Sequence, residues 1–204
     1  DVAREAFGPL THIQLNKNLR QTPALSDAIY SLLKKASPFE QHLVSEDFND
    51  QLEVIHVTEE NQAKRLAMVL QRLEKEYGLQ DIRVLHFDND EAVLTQVFAN
   101  RGNLDSKGER WLAENCKHVT NPTGQIRWRS IRKFKGLDED AIVLTDVSAK
   151  SAEWVERELR RALNDALYVG LTRARFKVVM LVQDGLYPAT HNPDGSPVKN
   201  KEQV

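Results

Sequence analysis

Two stretches of this chain, AIVLTDV (141–147) and FKVVMLV (176–182), lack the apolar–polar alternation of a strand with one wet face. Near-continuous apolar runs of this length are the pattern of β-strands covered on both faces. A sheet covered on both faces needs helices on each side, and parallel strands joined by helical crossovers provide them. The expected fold class is therefore α/β, with a mostly parallel sheet flanked by helices.

The rest of the chain supplies the crossovers. LEVIHV (52–57) and IRVLHF (82–87) read as further strands. Between them TEENQAKRLAMVLQRLEKEYG predicts a helix, with Thr58 as N-cap, Ala63, Leu66, Val69, Leu70 and Leu73 at helical spacing, and Gly78 as its stop. Thr22-Pro23 opens a helix expected to run to Lys35. DNDEAVLTQVFANRG (88–102) predicts another helix, and SAEWVERELRRALNDALYVG (151–170) predicts a single long one. THIQL (11–15) and QIRWRSI (125–131) are further strand candidates, KFKGLDED (133–140) reads as a loop, and residues 103–124 are less regular.

Charge and composition narrow the function classes. The 204 residues carry a formal charge of −2, with 41% hydrophobic and 28% charged residues, an ordinary composition for one large domain. Any nucleic-acid site must then be a local basic patch. Cys116 is the only cysteine, which rules out an intrachain disulfide and a cysteine-built zinc site and points to a reducing, cytoplasmic setting. No apolar run approaches the roughly 20 residues of a membrane span. The chain opens DVAREAFGPL without an initiator Met, which suggests a piece of a longer protein, and the polar residues 187–204 read as a disordered tail or linker.

No G-x-x-x-x-G-K-[ST] loop occurs, so the sequence holds no phosphate cradle of its own. Asp146, at the end of the apolar run AIVLTD, reads as the polar end of a core strand, and His56 and His86 read as structural. A self-contained hydrolase does not fit.

Three loops carry the cations. QLNKNLRQT (14–22) holds Arg20; RWRSIRKFKGLDED (127–140) holds Arg127, Arg129, Arg132, Lys133 and Lys135, interleaved with Trp128 and Phe134; YVGLTRAR (168–175) holds Arg173 and Arg175. In open α/β sheets ligands collect at strand ends, and three cationic loops at one edge would suit a polyphosphate and a nucleic-acid backbone. Taken singly, Arg20 also reads as a surface arginine, and the basic run as a solvated patch. Arg173 lies between an apolar helix and a buried strand, where an unpaired guanidinium is costly. It must meet an anion, either an internal carboxylate or a ligand phosphate.

In this order NKNLRQ, SIRKFKGLDEDAIVL and ALYVGLTRARFKVVML resemble the fourth, fifth and sixth motifs of superfamily 1 helicases of the UvrD/Rep type, and the resemblance spans about residues 10–185. It implies a second RecA-like motor domain, here residues 1–186, that works with an N-terminal motor domain of the same protein. ATP with Mg2+ would be held chiefly by that first domain, which supplies the P-loop. Arg20 and Arg173 resemble the arginines that reach the γ-phosphate across the cleft, and Gly136 and Asp138 the pair that touches the nucleotide. Ser130 and Arg132, with Lys133, Lys135, Arg127 and Arg129, fall where single-stranded DNA would be gripped. The sequence departs from the family where Arg132 replaces a histidine and Asp138 a glutamate. The accessory domain between the fourth and fifth motifs is absent or reduced to residues 101–124. The alternative is a non-catalytic module of the same fold that binds nucleic acid or a protein and pairs its arginines internally.

Overall fold

The computed structural model describes residues 17–44, 52–87, 107–117, 122–134, 138–183 and 186–198. A short strand β1 (Lys17–Asn18) precedes helix α1 (Pro23–Leu32) and pairs in parallel with β2 (Gln41–His42). Then come β3 (Leu52–Val57), α2 (Gln62–Tyr77), β4 (Ile82–His86), α3 (Lys107–Asn115) and β5 (Arg127–Ser130). β6 (Glu139–Val147), α4 (Ala149–Trp154), α5 (Leu163–Leu171) and β7 (Ala174–Gln183) complete the order.

The main sheet runs β3-β7-β6-β4-β5, and every neighbouring pair is parallel. The two apolar runs lie side by side inside it, with Ala141–Leu144 and Val178–Val182 fully buried. Alternate residues feed two cores. Val84, Val143, Val179 and Leu181 face α2 and α3, whereas Leu85, Leu144, Val178 and Met180 face α1 and α5. This is an α/β domain with a parallel sheet and helices on both faces, the fold class that the apolar runs predict.

Several expectations shift. The helix predicted from Thr58 begins at Gln62, because Thr58 and Asn61 first bond each other: Thr58 N–H donates to Asn61 Oδ1 (3.0 Å) and Asn61 N–H to Thr58 Oγ1 (3.3 Å). α1 ends at Leu32, and Lys34 takes a left-handed φ of 53°. The long helix over 151–170 is two helices. α4 runs into a π-helical turn (Val155–Leu159), Arg160 turns left-handed (φ 50°), and α5 starts afresh at Leu163. The break seats Trp154, Val155 and Leu159 on the same core as Leu163 and Leu167. The loop predicted to Asp140 ends sooner, since Glu139 and Asp140 already belong to β6. THIQL (11–15), the helix over 88–102, Lys135 and Gly136 lie outside the described residues.

The tail also departs from expectation, because residues 187–198 are folded rather than disordered. Thr190 and His191 N–H groups donate to Val54 O (2.9 and 3.2 Å), and Val54 N–H donates to Thr190 Oγ1 (2.9 Å). A turn follows, with Gly195 at φ +86°. The segment thus covers the outer edge of β3, an edge that would otherwise present unpaired backbone groups.

Beside that edge Glu53 is buried and shared by Arg72 of α2 and Lys177 of β7, the latter at 2.7 Å. Burial pushes the Glu53 carboxyl up, but hydrogen bonds and charge from Arg72 and Lys177 outweigh it and hold the group below its ordinary value of 4.5. The sign follows: stability from this cluster is present above the ordinary carboxylate value and is lost as pH falls through the lowered one. Glu53→Ala leaves two cations without their anion and is expected to cost about 3–5 kcal/mol in urea denaturation at pH 7. The gap between wild type and Glu53→Gln should narrow below pH 4.5. A gap that holds constant across that range would show that the carboxylate does not carry the effect.

Candidate functional site

The geometry of α5 decides where the sixth-motif arginine points. α5 returns against the parallel strands, so the residue that follows it reaches the amino ends of β6 and β7. Thr172 closes the helix, its hydroxyl donating to Tyr168 O (2.7 Å), and Arg173 is held at the corner by Arg173 N–H to Gly170 O (3.2 Å) and Glu139 N–H to Arg173 O (3.2 Å). Gly170 allows α5 to sit close to the turn after β5, since a Cβ there would lie 3.0 Å from Ile131 Cδ1.

Arg20 arrives at the same corner. Its Nε–H donates to Asp138 Oδ2 (2.9 Å) and its Nη1 to Thr172 O (3.2 Å). Arg173 Nη1 lies 3.6 Å from the other Asp138 oxygen, Oδ1, an ion-pair distance rather than a hydrogen bond. Two guanidinium groups therefore share one carboxylate. All three side chains remain part-exposed, at 38% for Arg20 and 27% for both Arg173 and Asp138. Asp138, which the resemblance assigns to the nucleotide, here faces the arginines.

Two residues that sequence reasoning passed over build this corner. Gln21 is 2% exposed, and its Nε2 donates to Leu171 O (3.3 Å) and Ala174 O (3.0 Å), one carbonyl on each side of the Arg173 corner. Asn18 Oδ1 accepts from the N–H groups of Arg20 (3.0 Å) and Gln21 (3.1 Å), and its Nδ2 donates to Ser26 Oγ (3.3 Å). The signal in the sequence is the run of amides flanking Arg20, polar side chains long enough to satisfy backbone from a distance.

The charge pattern repeats along this amino edge. Asp138, Glu139 and Asp140 are consecutive, and each holds arginine. Glu139 pairs with Arg83 and, at 3.4 Å, with Arg127, and Asp140 pairs with Arg175 at 3.4 Å. Five guanidinium groups thus meet Asp138, Glu139 and Asp140, a cluster with two positive charges in excess. That donor set fits a polyphosphate anion. It offers no carboxylate left over for magnesium, and no group of three or more His, Cys, Asp or Glu able to hold a metal occurs among the described residues. Burial pushes the Cys116 thiol well up, so it has no thiolate character at neutral pH.

The basic run of the fifth motif is divided between two edges. Arg127 begins β5 at the amino edge, bonding Gln80 O (2.9 Å) and Glu139. Ser130 ends β5 opposite His86, at the carboxyl edge. It is 2% exposed, and its hydroxyl has no hydrogen-bond partner among the described residues. Arg129 is exposed on β5, and Arg132 and Lys133 are exposed in the 3-10 turn that follows. Phe134 is fully buried with the Arg83 guanidinium 5.8 Å from its ring centroid, so it is not available to stack on a base. Trp128 Nε1 donates to Lys117 O (2.8 Å), and its ring lies 5.1 Å from His86.

No protein-family model matches the chain, and no curated protein matches it. Among solved structures, the C-terminal domain of a possible DNA helicase from Lactobacillus plantarum WCFS1 is similar at 12% identity and a TM-score of 0.46, over 83% of this chain and 90% of that one. A likeness at that level carries no functional weight. No helix among the described residues is long and apolar enough to cross a membrane.

If Gln21 holds the corner, Gln21→Ala should cost about 1–3 kcal/mol by urea denaturation, since it strands two backbone carbonyls. Gln21→Glu, which keeps the length but removes both donors, should cost at least as much. Wild-type stability in both variants would show that Gln21 does not hold the corner.

Proposed function

We propose that this chain is the second motor domain of an ATP-dependent superfamily 1 DNA helicase or translocase of the UvrD type, acting on single-stranded DNA in the cytoplasm. The observation that supports the reading most is the meeting of Arg20 and Arg173, 153 residues apart, on one carboxylate at a part-exposed sheet edge. An ion pair this exposed is worth roughly 1 kcal/mol or less. Asp138 therefore parks the two guanidinium groups without locking them. A γ-phosphate presented by the N-terminal motor domain, with ATP and Mg2+ bound there, offers more charge and more acceptors than one carboxylate.

In this reading Arg173 and Arg20 leave Asp138 for the phosphate as the cleft closes, and stabilise the charge that develops on the transferring phosphoryl group. Hydrolysis removes that anion, the arginines return to Asp138, and the cleft reopens. Gln21 and Asn18 act as positioning residues that keep both arginines on one rigid corner. The exposed cations at the carboxyl edge hold the DNA backbone, so that closure becomes a step along the strand.

The same ion pairs favour a second reading, a non-catalytic binding module whose arginines are satisfied internally. Arg173→Ala separates the two in the protein carrying both motor domains. A motor is expected to lose ~10³-fold or more in kcat for ATP hydrolysis, with KM changed only a few-fold. An unchanged kcat would favour the module. The chain alone, lacking a P-loop motif, should show no ATP turnover, and turnover by the purified chain would contradict the proposal.

A further inference from the structure

We propose that the folded tail, residues 187–198, is a pH-sensitive latch. It is closed on the outer edge of β3 while His191 is neutral and loosens when that ring takes a proton. The latch does not depend on the motor-domain reading.

The first observation is how the tail is held. Thr190 and His191 N–H both donate to Val54 O, and Val54 N–H donates to Thr190 Oγ1 at 2.9 Å. Thr190 Oγ1 in turn lies 2.8 Å from His191 Nδ1. A neutral imidazole with its proton on Nε2 offers Nδ1 as an acceptor, so the threonine hydroxyl donates to it. The bonds then run in one direction, from Val54 N–H through the Thr190 hydroxyl to His191 Nδ1, and each polarises the next. In the imidazolium both ring nitrogens carry protons. Nδ1–H must then point at Thr190 Oγ1, and the hydroxyl proton is turned out of the chain.

The second is the charge beneath the ring. His191 is half-buried and faces Glu53 of β3, Arg72 of α2 and Lys177 of β7, one carboxylate against two cations. The turn of the tail sits directly on the same arginine, since a Cβ on Gly195 would lie 2.7 Å from Arg72 Nη1. Burial holds His191 below its ordinary value of 6.5; Glu53 opposes the shift, and Lys177 and Arg72 add to it. The sign follows: closure is strongest above the ordinary value and weakens as pH falls through the lowered one. Two other titratable groups lie nearby. His56 Nε2–H donates to Tyr187 O (2.7 Å) and keeps that bond when protonated. Hydrogen bonds from Ser196 hold the Asp194 carboxyl below 3.8, well under the histidine range.

The third is what the latch closes. Tyr187, Pro188 and Thr190 wall one side of a cleft of ≈640 Å³, opposite Leu32 of α1 and Leu52 of β3. Tyr187 is anchored separately, its hydroxyl donating to Asn164 Oδ1 of α5. The tail thus has an anchor at Tyr187 that does not titrate near neutrality and one at His191 that does. Loosening the second opens the cleft and bares the backbone of Val54.

The test is solvent exchange of the Val54 amide, followed by NMR in the ¹⁵N-labelled chain. It is measured at about pH 7.5 and about pH 5.5, on either side of the ordinary histidine value, and divided by the unstructured rate at each pH. The protection is expected to fall ~3-fold or more at the lower pH. The His191 ring ¹⁵N signals should place the proton on Nε2 at the higher pH. His191→Gln should lose the response, and His56→Gln should keep it. Thr190→Val, without the bridging hydroxyl, should show low protection at both pH values. The Glu53 carboxyl titrates below 4.5, so loss of its ion pairs does not enter this range. Unchanged protection in wild type, a response that persists in His191→Gln, or a ring proton on Nδ1 at the higher pH would overturn the latch.

Discussion

Two guanidinium groups do not settle beside one another without an anion between them, and in this molecule Asp138 is that anion. Its two oxygens face Arg20 at 2.9 Å and Arg173 at 3.6 Å. The convergence requires three chain segments to arrive together: the turn before α1, the start of β6 and the end of α5. Each is fixed by its own local physics. Asn18 shapes the turn by accepting two backbone N–H groups, Gln21 staples it to the corner, and the parallel pairing of β6 with β7 places Glu139 next to Ala174. The functional proposal follows from that geometry, because a shared and part-exposed carboxylate is one that a better anion can replace.

Much of the fold is legible in the sequence because burial writes itself as pattern. The strands at 52–57, 82–86 and 141–147 stand where apolar runs predict them, and all five predicted core positions of α2 are buried. What does not show is structure set by tertiary contact rather than by local period. No glycine or proline announces the break at Arg160; the π turn is imposed by the need to seat Leu159 and Leu163 on one core. The tail is polar enough to read as disordered, yet it is held by backbone hydrogen bonds to β3, which leave no trace in composition.

For the candidate site, the arginines are legible and their surroundings are not. The period of a strand explains why the basic run does not act as one loop: β5 spreads Arg127 and Ser130 to opposite ends of the sheet. The sequence brings ligand loops to strand ends without saying which. The usual place in an open α/β sheet is the carboxyl edge. Here the arginine corner lies at the amino edge, because α5 runs back against β6 and β7 before Arg173 is reached. The arginine corner and the exposed Arg132 and Lys133 thus lie at opposite edges of one sheet.

Arg20 and Arg173, on this view, form one anion site whose internal occupant is exchangeable. The ¹⁵N NMR signals of the arginine Nε–H groups in the chain, titrated with inorganic tripolyphosphate, report on that exchange without any other domain. The Arg20 and Arg173 signals are expected to shift together, along a single saturable curve, and Asp138→Asn is expected to tighten the binding by removing the competitor. Shifts confined to surface arginines such as Arg157, or Arg20 and Arg173 signals that stay fixed at saturating tripolyphosphate, would contradict an exchangeable anion site.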